Sequence, residues 1–288
     1  MTVVNTNVAA SVAQAALARN ERALGAAMEK LSTGKRINSS ADNAAGLTIS
    51  TQLTSQIRGI GQAVSNANDA ISMVNTADGA LDEITTMLQR MRELAVQAGT
   101  GTTAATDRTY LQSEFTALRT EIDRIADNTQ WNGRNILDGA AGGATGVSTV
   151  AYGIGQDGTA AQTLSTSFGN FNNTTGKLSG LASKVITGTT ITSAITVAAA
   201  TITEIDVVIA DVSAQRASFG AVSNRLTHAL DSLTNTKTNA EAARSQILDT
   251  DYAAATSELA RTQIIQQAST AMLAQANAMP QTVLALLM

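Results

Sequence analysis

Apolar residues recur at alternating steps of four and three along two long stretches of this chain. In the first, Ala70, Val74, Ala77, Leu81, Ile84, Leu88, Met91 and Ala95 follow the pattern. After a Gly/Thr-rich break at 99–106 it resumes with Leu111, Phe115, Leu118, Ile122 and Ile125. In the second it runs through Ile205, Val208, Val212, Gln215, Phe219, Val222, Leu226, Ala229, Leu233, Thr236, Ala240, Ala243 and Ile247. An average step of about 3.5 residues keeps one seam of a helix facing a partner helix. At about 1.5 Å of rise per residue, positions 205–247 alone extend about 63 Å. The expected fold is mainly α: an elongated, coiled-coil-like helical bundle built from both chain ends, with a small β-rich central insertion.

Composition agrees with rods better than with a thick core. The 288 residues include no Cys, one Pro, one His, one Trp, three Tyr and four Phe, although 44% are hydrophobic. Ala supplies much of that share; it buries little area but forms helix well and lets helices approach closely. Without Cys there is no disulfide framework, thiolate metal site or thiol nucleophile. With His228 alone, multi-His metal sites are excluded and a Ser-His-Asp triad is poorly supported. The net charge of −4 and pI of about 5.0 give no basic footprint for nucleic acid. No run of about 18 apolar residues is found, so no membrane insertion is expected. The start, Met1-Thr2-Val3-Val4-Asn5-Thr6-Asn7, lacks the pattern of a cleaved signal peptide. No catalytic, cofactor-binding or metal site is expected.

Charge divides the chain. From Gly139 to Thr203 only Asp157, Lys177 and Lys184 are charged, and Gly, Thr, Ser, Ala and Asn dominate. Short β-branched runs at Val147–Tyr152 and Val185–Thr192 suggest strands and turns. The expected organisation is a discontinuous terminal helical domain (1–43 with 249–288), a discontinuous heptad rod (44–138 with 204–248) and an insertion at 139–203. Within that insertion Gly153-Ile154-Gly155-Gln156-Asp157-Gly158 matches G-x-G-x-x-G. No helix pattern follows it and no acid appears before Glu204, so a turn-rich hairpin is favoured over a dinucleotide site. The two N-x-[ST] matches in Asn172-Asn173-Thr174-Thr175 are read as chance, and His228 as a surface or interhelical residue.

The ends differ from the rods. Leu17, Leu24 and Leu31 repeat at seven, while 264–288 carries no charged side chain. There Ile264, Ile265, Ala268, Met272, Leu273, Val283, Leu284 and Leu287 occupy too much of a helix for one partner to cover. These residues, with Leu17, Leu24 and Leu31, are the candidate subunit-packing positions, and they point to assembly.

The same regions carry more specific blocks. Asn5-Thr6-Asn7, Leu31-Ser32-Thr33-Gly34-Lys35-Arg36-Ile37-Asn38-Ser39, and Asp42 with Ala44-Ala45-Gly46-Leu47 resemble bacterial flagellin. So do Leu88–Gln97, Glu121–Ile125, Asp249–Ala253, Leu273–Asn277 and Pro280-Gln281 with Val283-Leu284. The blocks cover roughly the first 140 and last 85 residues. Independently of the name, Gly34 is placed to stop a helix, and the next begins near Asn43 or Ala44. Asn132-Gly133 reads as a tight turn, and Tyr252 and Pro280 as helix ends or changes of direction.

The resemblance implies a homo-oligomeric helical filament of the bacterial flagellum, outside the cell. It implies export by the flagellar type III route without a cleaved signal peptide, and folding on assembly at the tip. Implied partners are an export chaperone at the C-terminal segment, hook-associated and cap proteins, and animal or plant innate immune receptors. The surface carrying Gln89, Arg90, Leu94 and Glu114 is similar to that bound by animal receptors. Leu31, Gly34, Arg36, Ile37, Asn38, Asp42, Asn43, Gly46 and Leu47 lie in the segment resembling the plant-receptor epitope, with Asn43 where the family usually has Asp. Trp131 stands where Phe is usual. A hook–filament junction protein of the same family, and a non-flagellar coiled-coil surface adhesin, are the alternative readings.

Overall fold

The computed structural model describes residues 6–139, 149–155, 162–172, 176–188 and 190–287, the last nine of these by backbone alone. Among the described residues five α-helices form: α1 (Val8–Thr33), α2 (Ala44–Ala98), α3 (Ala105–Asn128), α4 (Ile191–Leu248) and α5 (Tyr252–Leu287). Four short strands, β1 (Gln130–Trp131), β2 (Arg134–Asn135), β3 (Thr149–Gly153) and β4 (Thr163–Ser167), make two separate antiparallel hairpins. The chain divides into two compact units, residues 1–57 with 238–288 and residues 58–237.

In the second unit α2 runs antiparallel to both α3 and α4. The side chains of Arg90 and Glu114 meet at 2.9 Å across the first pair of helices. Arg92 and Asp206 meet at 2.7 Å across the second, with Arg216 bound to Asp78 and Asp82. The expected seam lies between them: Ala70, Val74, Ala77, Leu81, Ile84, Leu88, Met91 and Ala95 are all buried, as are Phe115, Ile122 and the α4 residues Ile205, Val208, Val212, Phe219, Val222 and Leu226. Beyond Leu226 the heptad continues in sequence without comparable burial. Ala229, Leu233, Ala240 and Ile247 are half-buried, while Thr236 and Ala243 are exposed.

The guanidinium of Arg108, near the start of α3, is buried at the end of α2. Its Nε donates to the Ala98 carbonyl (3.1 Å) and Nη2 to that of Thr100 (3.3 Å). The Ala98 carbonyl is one that the end of α2 leaves without a main-chain donor, while that of Thr100 also accepts from Thr103 N–H (3.3 Å), so the charge sits against the negative end of α2.

The hairpins follow local chemistry. Asn132 and Gly133 both have positive φ (50° and 73°), the geometry a two-residue β-turn matched to strand twist requires. The G-x-G-x-x-G match begins where β3 ends, and β3 pairs antiparallel with β4, Tyr152 opposite Leu164. Residues 156–158 of the match, and Asn173 to Thr175 of the glycosylation matches, lie outside the described residues.

One expectation for the central stretch is corrected. Residues 185–188 form no strand, and α4 begins at Ile191, because Ala194, Ala198, Thr201, Ile205 and Val208 fall at helical spacing and are buried. The described residues of 139–203 lie within the second compact unit. Leu164, Phe168, Phe171, Leu178, Leu181 and Ile186 join the core of the helices, Phe168 against Phe219 with ring centroids 5.2 Å apart. The boundaries of the two compact units fall within α2 and α4. A stretch of α4 is long and apolar enough by composition to cross a membrane (mean hydropathy 1.6). The same helix turns Ile205, Val208, Val212 and Phe219 into the protein core.

Candidate functional site

The first unit is built around α1 and α5, which run antiparallel. Three contacts at successive heights fix that direction. Asn7 Nδ2 donates to the Ala276 carbonyl (2.9 Å), Asn20 Nδ2 to the Thr262 carbonyl (2.8 Å), and Lys35 forms a β-bridge with Asp249. On α1 the covered positions are Ala13, Leu17, Asn20, Leu24, Ala27 and Leu31; on α5 they are Ala255, Leu259, Thr262, Gln266, Ser269, Leu273 and Ala276. Both sets step by four and three, so the pair packs as a coiled coil. Its seam is thin. Only Ala27, Asn20, Ala255, Thr262 and Ala276 are buried, and the leucines remain half-exposed.

Of the residues expected to pack subunits, Leu17, Leu24, Leu31 and Leu273 therefore lie in the seam within the chain. Ile264, Ile265, Ala268 and Met272 lie outside it, with Ile264 66% and Met272 64% exposed. The side chains of Val283, Leu284 and Leu287 lie outside the described residues. Asn20 and Thr262 were not legible as seam residues, since neither is apolar; their only signal is the four-three spacing shared with Leu17, Leu24 and Leu259.

The link between α1 and α2 is held by side chains. Gly34 ends α1 in the left-handed conformation (φ 69°), its N–H donating to the Lys30 carbonyl. Its own carbonyl accepts from Thr250 N–H (3.0 Å). Arg36 Nη2 donates to the carbonyls of Gln246 (3.1 Å) and Ile247 (2.7 Å) at the end of α4. Ile37 is buried, and Asn38 is half-buried with its side chain donating to the Lys35 carbonyl. Asp42 accepts from the main-chain N–H of Ser39 (2.9 Å) and Asn38 (3.0 Å), which holds its carboxyl below the usual carboxylate range. Asn43 Oδ1 caps α2 by accepting from Gly46 N–H (2.9 Å). Gly46 packs under Ile37, where a Cβ would come within 2.6 Å of Ile37 Cδ1, and Leu47 is half-buried.

The candidate receptor surface on α2 and α3 is brought together in part. Arg90 bridges Glu114 and Glu93, and hydrogen bonds to these two acids raise its pKa. Gln89 beside it is exposed. Leu94 is not on that surface: it is fully buried between the helices, because it falls on the inward face three residues after Met91. Among the described residues no group of three or more His, Asp or Glu is placed to hold a metal ion.

A helix whose apolar outer face is left uncovered, on a pair with so little buried between its members, defines a subunit of a larger assembly. Residues 4–141 match the bacterial flagellin N-terminal helical region and residues 202–287 the bacterial flagellin C-terminal helical region. A flagellin of Halalkalibacterium halodurans is 41% identical over 285 residues, covering 99% of each chain. A flagellin of Bacillus subtilis is 40% identical over 305 residues with the same coverage, and flagellin A of Vibrio cholerae 33% over 374. The solved structure of a flagellar hook-associated protein from Vibrio parahaemolyticus aligns with 73% of this chain and 100% of that one, with a TM-score of 0.59. At 16% identity, that likeness is one of fold. The chain belongs to the bacterial flagellin family: it is a structural subunit of the flagellar filament, which lies outside the cell.

Proposed function

We propose that this subunit couples the completion of its fold to polymerisation. The observation that carries the reading is the outer face of α5, where Ile264, Ile265 and Met272 are exposed on a segment without a charged side chain after Arg261. Full burial of a side chain of this size contributes roughly 1.5–3 kcal/mol. The thin α1/α5 seam supplies little of that, so neighbouring subunits provide the missing burial and the terminal pair is loosely ordered until they do. In this arrangement the α1/α5 pair lines the filament core and the central hairpin region faces solvent. The work is mechanical: the polymer transmits motor rotation and performs no chemical step.

A chain whose terminal helices are finished only in the polymer suits export in an unfolded state by the flagellar type III route. The C-terminal segment is then the part an export chaperone covers, and hook-associated and cap proteins meet it at the filament's ends. Removing residues 265–288 should leave the second unit helical by circular dichroism and abolish seeded filament growth. Normal filaments from the truncated chain would refute the reading.

The same assembly logic bears on immune receptors. Gln89, Arg90 and Glu114 offer a charged surface to an animal receptor, without Leu94. Arg90→Ala should weaken receptor signalling by the monomer while leaving its melting temperature within a degree or two; unchanged signalling would remove this surface from consideration. The segment from Leu31 to Leu47 has Ile37 and Gly46 buried, so a plant receptor reads it after the loop has been released from the fold.

A further inference from the structure

We infer that Asn7 is the positioning residue that sets the register of α1 against α5, by recognising the carbonyl that Pro280 leaves open in the interior of that helix. Its side chain makes two hydrogen bonds of opposite sense. Oδ1 accepts from Ala10 N–H (3.0 Å) and caps α1, while Nδ2 donates to the Ala276 carbonyl (2.9 Å). Ala276 is four residues before Pro280, the single proline of the chain, and α5 continues through both. In a helix the carbonyl of residue i accepts from the N–H of residue i+4. Proline has no N–H, and its ring pushes against the carbonyl four residues back. The Ala276 carbonyl therefore has no helical donor, and the Asn7 amide takes that place.

This accounts for an observation that ran against expectation. The sequence reads Pro280 as a helix end or a change of direction, yet α5 runs from Tyr252 to Leu287. The missing main-chain bond is replaced from the partner helix.

The seam itself specifies register weakly. Ala13, Leu17, Leu24, Ala27 and Leu31 face Ala255, Leu259, Gln266, Ser269, Leu273 and Ala276. A slip of one heptad sets a similar mixture of small and aliphatic groups opposite one another. Asn20 discriminates little, because the Thr262 carbonyl it contacts is also the normal acceptor for residue 266, and every carbonyl along the interior of α5 offers the same shared site. Asn7 does discriminate. A one-heptad slip moves its amide about 10 Å from the Ala276 carbonyl, and the other interior carbonyls already have their donors. A polar group with a single matching partner fixes register in the way a buried asparagine does in a coiled coil. The inference rests on the reading that neighbours cover the outer face of α5, since register decides the height at which Ile264, Ile265 and Met272 meet them.

The chain has no cysteine, so engineered pairs report register directly. Because Asn20 faces Thr262, Ala13→Cys with Ser269→Cys reports the native register in assembled filaments, and Ala13→Cys with Thr262→Cys reports a one-heptad slip. Asn7→Ser keeps a side-chain acceptor for the cap but is too short to reach Ala276. Pro280→Ala keeps Asn7 and closes the open carbonyl by restoring an N–H. Both substitutions should lower the native-to-slipped crosslink ratio at least fivefold without loss of helix content. An unchanged ratio in either variant, or no crosslink in the native pair, overturns the inference. Seeded growth of Ile264→Asp tests the underlying reading separately: normal growth there removes the role of the outer face, whatever the crosslinks show.

Discussion

The guanidinium of Arg36, in the loop after α1, donates to the carbonyl of Ile247 in the last turn of α4 at 2.7 Å, and to that of Gln246 at 3.1 Å. A cation here satisfies acceptors the helix end leaves open and complements its negative pole. Arg36→Met keeps the aliphatic stem and removes the donors. It should destabilise the first unit by about 1–2 kcal/mol, with Arg36→Lys intermediate. Urea unfolding followed at α4 checks this, and an unshifted midpoint for Arg36→Met would contradict it.

Gly34 is constrained twice. Its φ of 69° lies in the left-handed region, and an added Cβ would stand 2.9 Å from Tyr252 Oη. Gly34→Ala should cost about 1–2 kcal/mol from backbone conformation alone. Pairing it with Tyr252→Ala should relieve the contact and leave the backbone cost in place. Full recovery of the melting temperature in the double variant would show that conformation is not the constraint.

Two large apolar residues should behave in opposite ways. Phe219 is buried against Phe168, so Phe219→Ala should lower stability by about 3–5 kcal/mol. Ile264 is exposed, so Ile264→Asp should leave the monomer's melting temperature nearly unchanged while slowing seeded growth at least tenfold. Calorimetry of monomers beside growth assays separates the two, and equal stability losses would remove the distinction.

Asp42 should make the α1–α2 link sensitive to acid. Its folded pKa is depressed by the N–H groups of Ser39 and Asn38, so its contribution is fully present above the unfolded value of about 4. That contribution is lost as pH falls through the lower folded value. Protection of the Asn38 and Ser39 amides against hydrogen exchange should hold at pH 5 and decline below about 4. Asp42→Asn should flatten the decline. A carboxyl titrating at or above its unfolded midpoint by NMR would be incompatible with this account.

The long helices of the second unit were readable because their seam is made of residues such as Leu81, Leu88, Ile205 and Phe219, whose burial is what the four-three pattern reports. The α1/α5 seam was not, because Asn20, Thr262, Gln266 and Ser269 occupy positions that hydrophobicity marks as surface. The strongest apolar signal in α5, Ile264, Ile265 and Met272, marked the face turned away from the seam. The start of α4 was misjudged for a related reason: Thr and Val at 185–201 favour strands locally, while the buried spacing of Ala194, Ala198 and Thr201 overrides that preference. The resemblance places Leu94 on a surface, whereas the structure buries it beside the heptad position Ala95, on the inward face of α2.

After Arg261 the chain has no charged side chain, and the residues α5 leaves exposed there include Ile264, Ile265 and Met272. A joint made by such a face holds no Coulomb attraction for dissolved ions to screen. Excluded ions strengthen it, because they favour burial of apolar area. The contact proposed between α5 and its neighbours is thus indifferent to dilution in fresh water and reinforced in brine. Sensitivity to ionic strength falls instead to exposed pairs such as Arg92 with Asp206.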